Sequence, residues 1–153
     1  MMVYSEEMVK LLGAARADRE SPAASALRAG LRTTMHCDCP SAAPNVMAAV
    51  ATAVTRRSMS GEVLGPEERV SPYEALIGFT RGPAYTYREE QVRGTITAGK
   101  VADLVIIDQN LITVTPDAIK DIKVVETIKR GHYCCRRPAI LSASSSAGGL
   151  RRS

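Results

Sequence analysis

The chain has 153 residues, of which 45% are hydrophobic and 24% charged, and these values predict one domain with a sizeable core. The net charge of +4 is modest and lies partly in a basic C-terminus, without a basic stripe or interleaved aromatic residues, which argues against nucleic-acid binding. No apolar run approaches the roughly 18 residues of a membrane span, and the N-terminus lacks a signal-peptide pattern, so we expect a cytoplasmic protein without a membrane partner.

The first thirty residues predict two short helices. Apolar residues between positions 5 and 17 recur at helical spacing and indicate an amphipathic helix. Ser21 followed by Pro22 is typical of an N-cap and a first helical position. We expect this second helix to end at Gly30, because glycine readily adopts the left-handed backbone of a C-cap.

A strand, a loop and a third helix are predicted next. Residues 31–36 contain two threonines and read as a short strand, and 40–44 form a loop. Pro44 is expected to open a helix that ends near the pair Arg56 and Arg57. We interpret this pair as a solvated helix end, where positive charge suits the helix dipole.

The next segment predicts a surface loop and a capped helix. Residues 58–69 hold two glycines, a proline and several charges, which favour a loop. Ser71 and Glu74 have the spacing of a capping box, in which each side chain bonds the other residue's backbone N–H. The helix that follows is expected to break at Gly82-Pro83, with a helical turn resuming over residues 84–88.

From Gly94 onward the pattern changes to strands. We predict a short strand at 95–97, a turn at 98–99 and a buried strand at 104–107. Residues 116–119 predict a helical turn, and 123–133 a strand or hairpin that turns at Arg130-Gly131. Residues 138–153 are rich in Ser, Ala, Gly and Arg, and we expect disorder there.

Three segments in order carry a resemblance to a known family. They are SPAASALRAGLRTTMHCDCP at 21–40, AVTRR and GEVLGPEERVS within 53–71, and GTITAGKVADLVIID at 94–108 with its apolar continuation. Over residues 15–133 the chain resembles the C-terminal part of the metal-dependent amidohydrolase superfamily (amidohydrolase family 3), in the branch of the N-substituted formamide deformylases. The resemblance implies an α/β fold: the C-terminal fragment of a TIM-type (β/α)8 barrel, followed by part of a small β-sandwich. The implied division is a last barrel strand with helices at 1–90, a sandwich portion at 91–137 and a disordered tail at 138–153.

The resemblance also implies a catalytic site to which this chain contributes one residue. The family binds its metal with a His-x-His pair, a Lys or Glu, two further histidines and an Asp after the eighth strand; here Asp38 alone falls on a matching position. The implied chemistry is hydrolysis by a zinc-activated water, with Asp38 as metal ligand and as the group that takes and returns the proton. The only histidines are His36 and His132, so this chain alone is not expected to hold the divalent metal.

The same residues have plainer interpretations. From local chemistry, Asp38 is a loop residue before Pro40. His36 projects to the same side, where it is either a contact to a metal ligand or the substrate or, as is more common for a lone histidine near a strand end, a hydrogen-bonded structural residue. Alternation places Cys37 and Cys39 on the opposite face, so residues 36–39 do not converge as a metal knuckle, and free thiols are the simpler assignment.

Two further motifs near the strands have structural explanations. The stretch from Gly94 to Lys100 nearly spells a phosphate-binding loop, but Val101 replaces the required Ser or Thr and a strand follows in place of a helix. A hairpin turn is the better interpretation. Asp103 is expected to be a structural hydrogen-bond acceptor.

Two functions follow from these observations. The first is a fragment of a metal-dependent hydrolase that acts on non-peptide carbon–nitrogen bonds of a small amide-type substrate and is inactive alone. The second is a non-catalytic interaction module, which pairs with itself or another chain through exposed strand edges.

Overall fold

Helices come first along the chain and strands last. A computed structural model describes residues 5–136, so the predicted disordered tail lies outside the described residues. The α-helices are α1 Ser5–Leu12, α2 Ala14–Ala17, α3 Ala23–Arg28, α4 Val46–Thr55, α5 Pro72–Phe79 and α6 Arg81–Thr86. Two 3-10 helices span Pro66–Glu68 and Pro116–Asp121, and the strands are β1 Leu104–Ile107, β2 Val124–Lys129 and β3 His132–Arg136. Within this part of the chain no helix is both long enough and apolar enough to cross a bilayer.

The predicted helices form, with shifted boundaries. Gly13, at φ 76°, splits the expected helix at 5–17 into α1 and α2. The N-cap of α3 is Pro22 and has no side-chain cap bond, so the predicted Ser21 cap is wrong. Helix α4 is capped by Asn45, whose side-chain oxygen accepts the Ala48 N–H at 3.0 Å, and it therefore begins just after the predicted Pro44.

The capping box at the start of α5 is confirmed. The Ser71 hydroxyl accepts the Glu74 N–H at 3.2 Å, and the Glu74 carboxylate accepts the Ser71 N–H at 2.7 Å. The helical run breaks at Thr80 and not at Gly82-Pro83 as expected, because both of those residues lie inside the first turns of α6. Proline is tolerated there because the first N–H groups of a helix have no intrahelical partner.

The core is built around α4. Val50, Ala51 and Val54 lie on its buried face and pack with Ala75 of α5 and with Ile119 of the second 3-10 helix. The core cluster is completed by Ala24, Val70, Leu111 and Ile122. The centre of the described structure is therefore the junction between the helical part and the segment that follows β1.

The three strands form one antiparallel sheet in the order β1-β2-β3. The hairpin between β2 and β3 is confirmed: Arg130 and Gly131 have φ of 51° and 80°, the left-handed pair that a two-residue type I′ turn needs. Strand β1 is also confirmed, but its predicted burial is wrong, since Val105 is 58% and Ile106 46% exposed. The strand predicted at 95–97 does not form, although the turn at Gly99 does.

Residues 31–36 do not form a strand. A strand requires a neighbour to supply its ladder of hydrogen bonds, and within residues 5–136 this segment lies beside helices. Its backbone bond is made instead by the Met35 N–H, which donates to the Gly78 carbonyl of α5 at 2.9 Å. The described residues are thus a small α/β unit, and a barrel is not seen in them.

Candidate functional site

Asp38 lies at a sharp change of direction between segment 31–36 and α4. Its φ is 56°, in the left-handed region that Asp tolerates better than most non-glycine residues. Its carbonyl accepts the Ala42 N–H at 3.2 Å, which closes the turn that follows. The Asp38 side chain is exposed, so the carboxylate is available to groups outside this turn.

A cavity of about 590 Å³ opens beside Asp38, between α3, residues 33–38 and α4. His36 and Asp38 both line it, as their predicted common side requires, but Cys37 lines it too, so the alternation expected of a strand is not kept. The polar lining also includes Thr34 and Asn45. Its apolar wall comprises Pro22, Ala23, Ala26, Met35, Ala42, Ala43, Ala49, Ala53 and Phe79.

The described residues do not make a complete metal site. Among residues 5–136 no group of three or more His, Cys, Asp or Glu side chains is placed to hold a metal ion. Asp38 has only His36 and two thiols as neighbours of ligand type along the chain. Since a zinc site needs at least three protein ligands in a converging arrangement, this part of the chain does not fit the metal by itself.

One buried, charged residue that lines the cavity, Arg56, was not recognised in the sequence. Arg56 was expected to be solvated, and this is wrong: it is 2% exposed. Arg56 is the C-cap of α4 and adopts φ 59°, and its guanidinium is directed inward. The guanidinium donates to the carbonyls of Leu64 at 2.9 Å, Ser21 at 3.2 Å, Glu20 at 2.9 Å and Asp18 at 3.4 Å.

Arg56 thereby joins three parts of the chain below the cavity. Burial lowers the pKa of Arg56, and the carboxylates of Glu68, Glu20 and Asp18 act against that shift. The Asp18 carboxylate also accepts the Gly65 N–H at 2.9 Å. Consecutive arginines at a helix end were the only sequence signal, and they do not reveal acceptors that are supplied by residues far away along the chain.

Glu68 forms a second buried contact next to Arg56. Its carboxylate accepts the Ser25 N–H at 2.8 Å and the Ser25 hydroxyl at short range. These two bonds lower the pKa of Glu68, with a smaller contribution in the same direction from Arg28. Glu68 thus fastens the 3-10 helix Pro66–Glu68 to α3, which forms one wall of the cavity.

The two motifs in the strand region make hydrogen bonds within the chain: the acceptor role predicted for Asp103 is confirmed, whereas the hairpin predicted around Gly99 does not form, because residues 95–97 are not a strand. Lys100, the lysine of the near phosphate-binding loop, donates to the Glu90 carbonyl and to the Thr95 hydroxyl at 2.7 Å. Asp103 accepts the Arg130 N–H at 2.9 Å, which is the main cause of its lowered pKa, and lies 3.3 Å from the Lys129 ammonium. Cys37, Cys39 and Cys134 are free thiols.

Comparisons with known proteins agree on one family. The sequence model described as the amidohydrolase family matches residues 1–133. An N-substituted formamide deformylase from Arthrobacter pascens is 32% identical over 110 residues, which are 72% of this chain and 20% of that protein. A crystal structure of an amidohydrolase from Thermotoga maritima MSB8 superimposes with a TM-score of 0.56 at 22% identity and covers 74% of this chain and 25% of that one. The chain therefore spans a fifth to a quarter of the length of these two relatives.

Proposed function

The chain belongs to the amidohydrolase family, and we propose that it is the C-terminal part of a hydrolase that acts on non-peptide carbon–nitrogen bonds. The support is the family match over residues 1–133 together with the small share of each relative that the chain covers. In this proposal residues 1–90 are the last strand segment and helices of a barrel, and 91–137 are a portion of a β-sandwich. Small amides, including N-substituted formamides, are the proposed substrate class.

Asp38 is the proposed catalytic contribution of this part of the chain. It is an exposed carboxylate on the rim of the 590 Å³ cavity, and the residues before and after it are fixed by bonds to α5 and by the Asn45 cap of α4. A carboxylate can serve both as a ligand and as a weak base, which are the two roles that the family chemistry asks of this position. The remaining ligands for a divalent metal, with zinc as our first choice, would come from outside the described residues.

The isolated chain is expected to be inactive, because the described residues supply one acidic group and no metal-binding cluster. The direct test is to purify the 153-residue chain, add zinc and assay the hydrolysis of amides and formamides. Wild-type chain and Asp38→Asn should both give only the background rate. Turnover that is lost in Asp38→Asn would overturn the inactivity and support the assignment of Asp38.

A chimera tests the role of Asp38 in a longer protein. The aligned part of this chain would replace the matching fifth of the Arthrobacter pascens deformylase, with Asp38→Asn and Asp121→Asn as paired variants. Asp121 is a suitable control because its carboxylate is exposed and, within residues 5–136, pairs with the neighbouring Lys120 at 3.1 Å. We expect Asp38→Asn to abolish turnover and Asp121→Asn to preserve it; equal activity of the two chimeras would refute the assignment.

A cytoplasmic location is part of the proposal and is supported by the free thiols of Cys37, Cys39 and Cys134.

A second candidate function rests on the outer edge of β1. Among the described strands β1 pairs with β2 on one side only, and its exposed Val105 and Ile106 carry no charge to discourage further pairing. A groove of about 460 Å³ lies beside it, lined by Met47, Leu76, Val105, Ile107, Asp108, Gln109, Asn110, Leu111 and Ile112. These features support an interaction module that adds a strand from another chain or from a second copy.

Sedimentation equilibrium separates this candidate from the hydrolase. A defined dimer or complex that is lost in Val105→Lys but kept in Ile96→Lys would support pairing through β1. Ile96 is a matched control since it is 91% exposed and lies outside the sheet. A monomer at all concentrations, with no binding to barrel-containing relatives, would exclude the interaction module.

A further inference from the structure

The segment that leads to Asp38 lies directly on the corner between α5 and α6. Three contacts hold residues 32–35 there, and each comes from a different residue of the corner or its surroundings. The Met35 N–H donates to the Gly78 carbonyl at 2.9 Å, and the Arg32 guanidinium stacks 4.3 Å from the centre of the Tyr85 ring. Arg32 also lies 4.0 Å from the Glu90 carboxylate.

Two glycines make this close approach possible. Gly78 is the seventh residue of α5 and Gly82 the second of α6, four positions apart, and both are buried. A Cβ atom built on Gly82 would lie 2.3 Å from the Thr33 carbonyl oxygen, and one on Gly78 would lie 2.9 Å from the Met35 side chain. Any larger residue at position 82 must therefore displace backbone, whereas at position 78 it displaces a flexible side chain.

We propose that Gly78 and Gly82 are positioning residues: they allow residues 32–35 to pack closely against the α5–α6 corner and thereby set the position of Asp38 at the cavity. Neither glycine lines the cavity itself, but each lies against a residue that does, Gly78 against Met35 and Gly82 against Thr33, and the backbone from Met35 leads on to Asp38. The functional meaning of this packing rests on the proposed role of Asp38, but the packing of residues 32–35 against the corner can be measured without any activity.

The first test uses the Arg32–Tyr85 contact, because the Tyr85 ring is 46% exposed and lies outside the core cluster. Tyr85→Leu removes the ring below Arg32, and Tyr85→Phe keeps it. Because a cation–π contact at an exposed site corresponds to a change of about two- to fivefold in a local opening equilibrium, Tyr85→Leu should speed amide hydrogen exchange at Met35 by that factor. Tyr85→Phe should exchange like the wild type.

The second test uses the glycines and reads out the neighbourhood of Asp38. Alkylation of Cys37 by iodoacetamide at fixed pH, resolved by mass spectrometry, reports on the segment beside Asp38, and Cys134 on β3 is the internal reference. Gly82→Ala should raise the alkylation rate of Cys37 by more than Tyr85→Leu raises it, and the alkylation rate of Cys134 should not change. Gly78→Ala should act more weakly, and Met35→Ala in the same chain should restore the wild-type rate by clearing the space.

Defined outcomes decide the proposal. Folded Gly82→Ala with wild-type rates at both Met35 and Cys37 would overturn it. If Gly82→Ala does not fold, the two Tyr85 variants and the Gly78→Ala/Met35→Ala double variant decide instead. The proposal is then overturned if the Met35 amide exchanges equally fast in Tyr85→Leu and Tyr85→Phe and if Met35→Ala does not restore the alkylation rate of Cys37 in Gly78→Ala. If the Asp38→Asn and Asp121→Asn chimeras are equally active while the exchange and alkylation results agree with the packing proposed here, only the proposed function is refuted, since neither of these two measurements requires turnover.

Discussion

Removing the buried guanidinium of Arg56 should destabilise the helical half of the chain strongly. In Arg56→Met the long apolar stem is preserved, but the carbonyls of Leu64, Ser21 and Glu20 lose their common donor. Two of these bonds are 2.9 Å long and well formed, and bonds to a charged group contribute about 1.5–3 kcal/mol each. Counting the two strong bonds alone, the free energy of unfolding should fall by about 3–6 kcal/mol.

Urea unfolding followed by far-UV circular dichroism measures this loss. With an m-value of about 2 kcal/mol/M, the midpoint should fall by about 2 M. Arg57→Met is the matched control, because the neighbouring Arg57 is half exposed and contacts the Asp117 carboxylate at 3.3 Å, so its loss should cost less than about 1 kcal/mol. If Arg56→Met and Arg57→Met unfold at the same urea concentration, the inferred role of the buried network is wrong.

Three further changes probe the same part of the fold and the hairpin. Because the pKa of Glu68 is lower in the folded chain, stability should decline as the pH falls from about 4.3, the ordinary pKa of glutamate, through the pKa of folded Glu68. In Ser25→Ala the hydroxyl that lowers this pKa is absent, so urea midpoints should decline less steeply with falling pH. Gly65→Ala should lower the unfolding free energy by more than about 1 kcal/mol, since the new Cβ would lie 1.9 Å from the Asp18 carbonyl at a φ of 54°; an unchanged melting temperature would contradict this. Arg130→Asn should raise the unfolding free energy by about 0.5–1 kcal/mol, because Asn tolerates the φ of 51° in the type I′ turn, and calorimetry that shows no gain would disprove it.

Elements whose partners are neighbours in the sequence were predictable. The Ser71–Glu74 capping box needs two side chains three residues apart, and both of its bonds are found. The Arg130-Gly131 turn likewise follows from two adjacent residues between two runs of strand-forming residues, and its left-handed backbone is found. In both cases the deciding interactions lie within one turn of chain, so a local pattern carries the full information.

Elements that depend on distant partners were not predictable. Arg56 is buried because its acceptors come from residues 18–21 and 64, and nothing in the local pattern of two arginines reports them. Strand β1 has the apolar composition of a buried strand, but burial requires a full covering layer, and residues 5–136 leave Val105 58% and Ile106 46% exposed. Residues 31–36 have strand character but find no strand neighbour within residues 5–136, and the Met35 N–H donates to the Gly78 carbonyl of α5 instead.

The placement of Asp38 and the completeness of its site are separate matters in this chain. Both ends of the loop that carries Asp38 are held inside the described residues, by the Met35 bond to Gly78 on one side and by the Asn45 cap of α4 on the other. The carboxylate therefore needs no further protein to be held at the cavity, whereas a metal site needs ligands that these residues do not supply. It follows that the isolated chain can be folded and inactive at the same time. If Asp38 has its proposed role, Asp38→Asn is expected to lower activity in the longer chimera and not in the isolated chain, while the geometry around Asp38 can already be measured in the isolated chain.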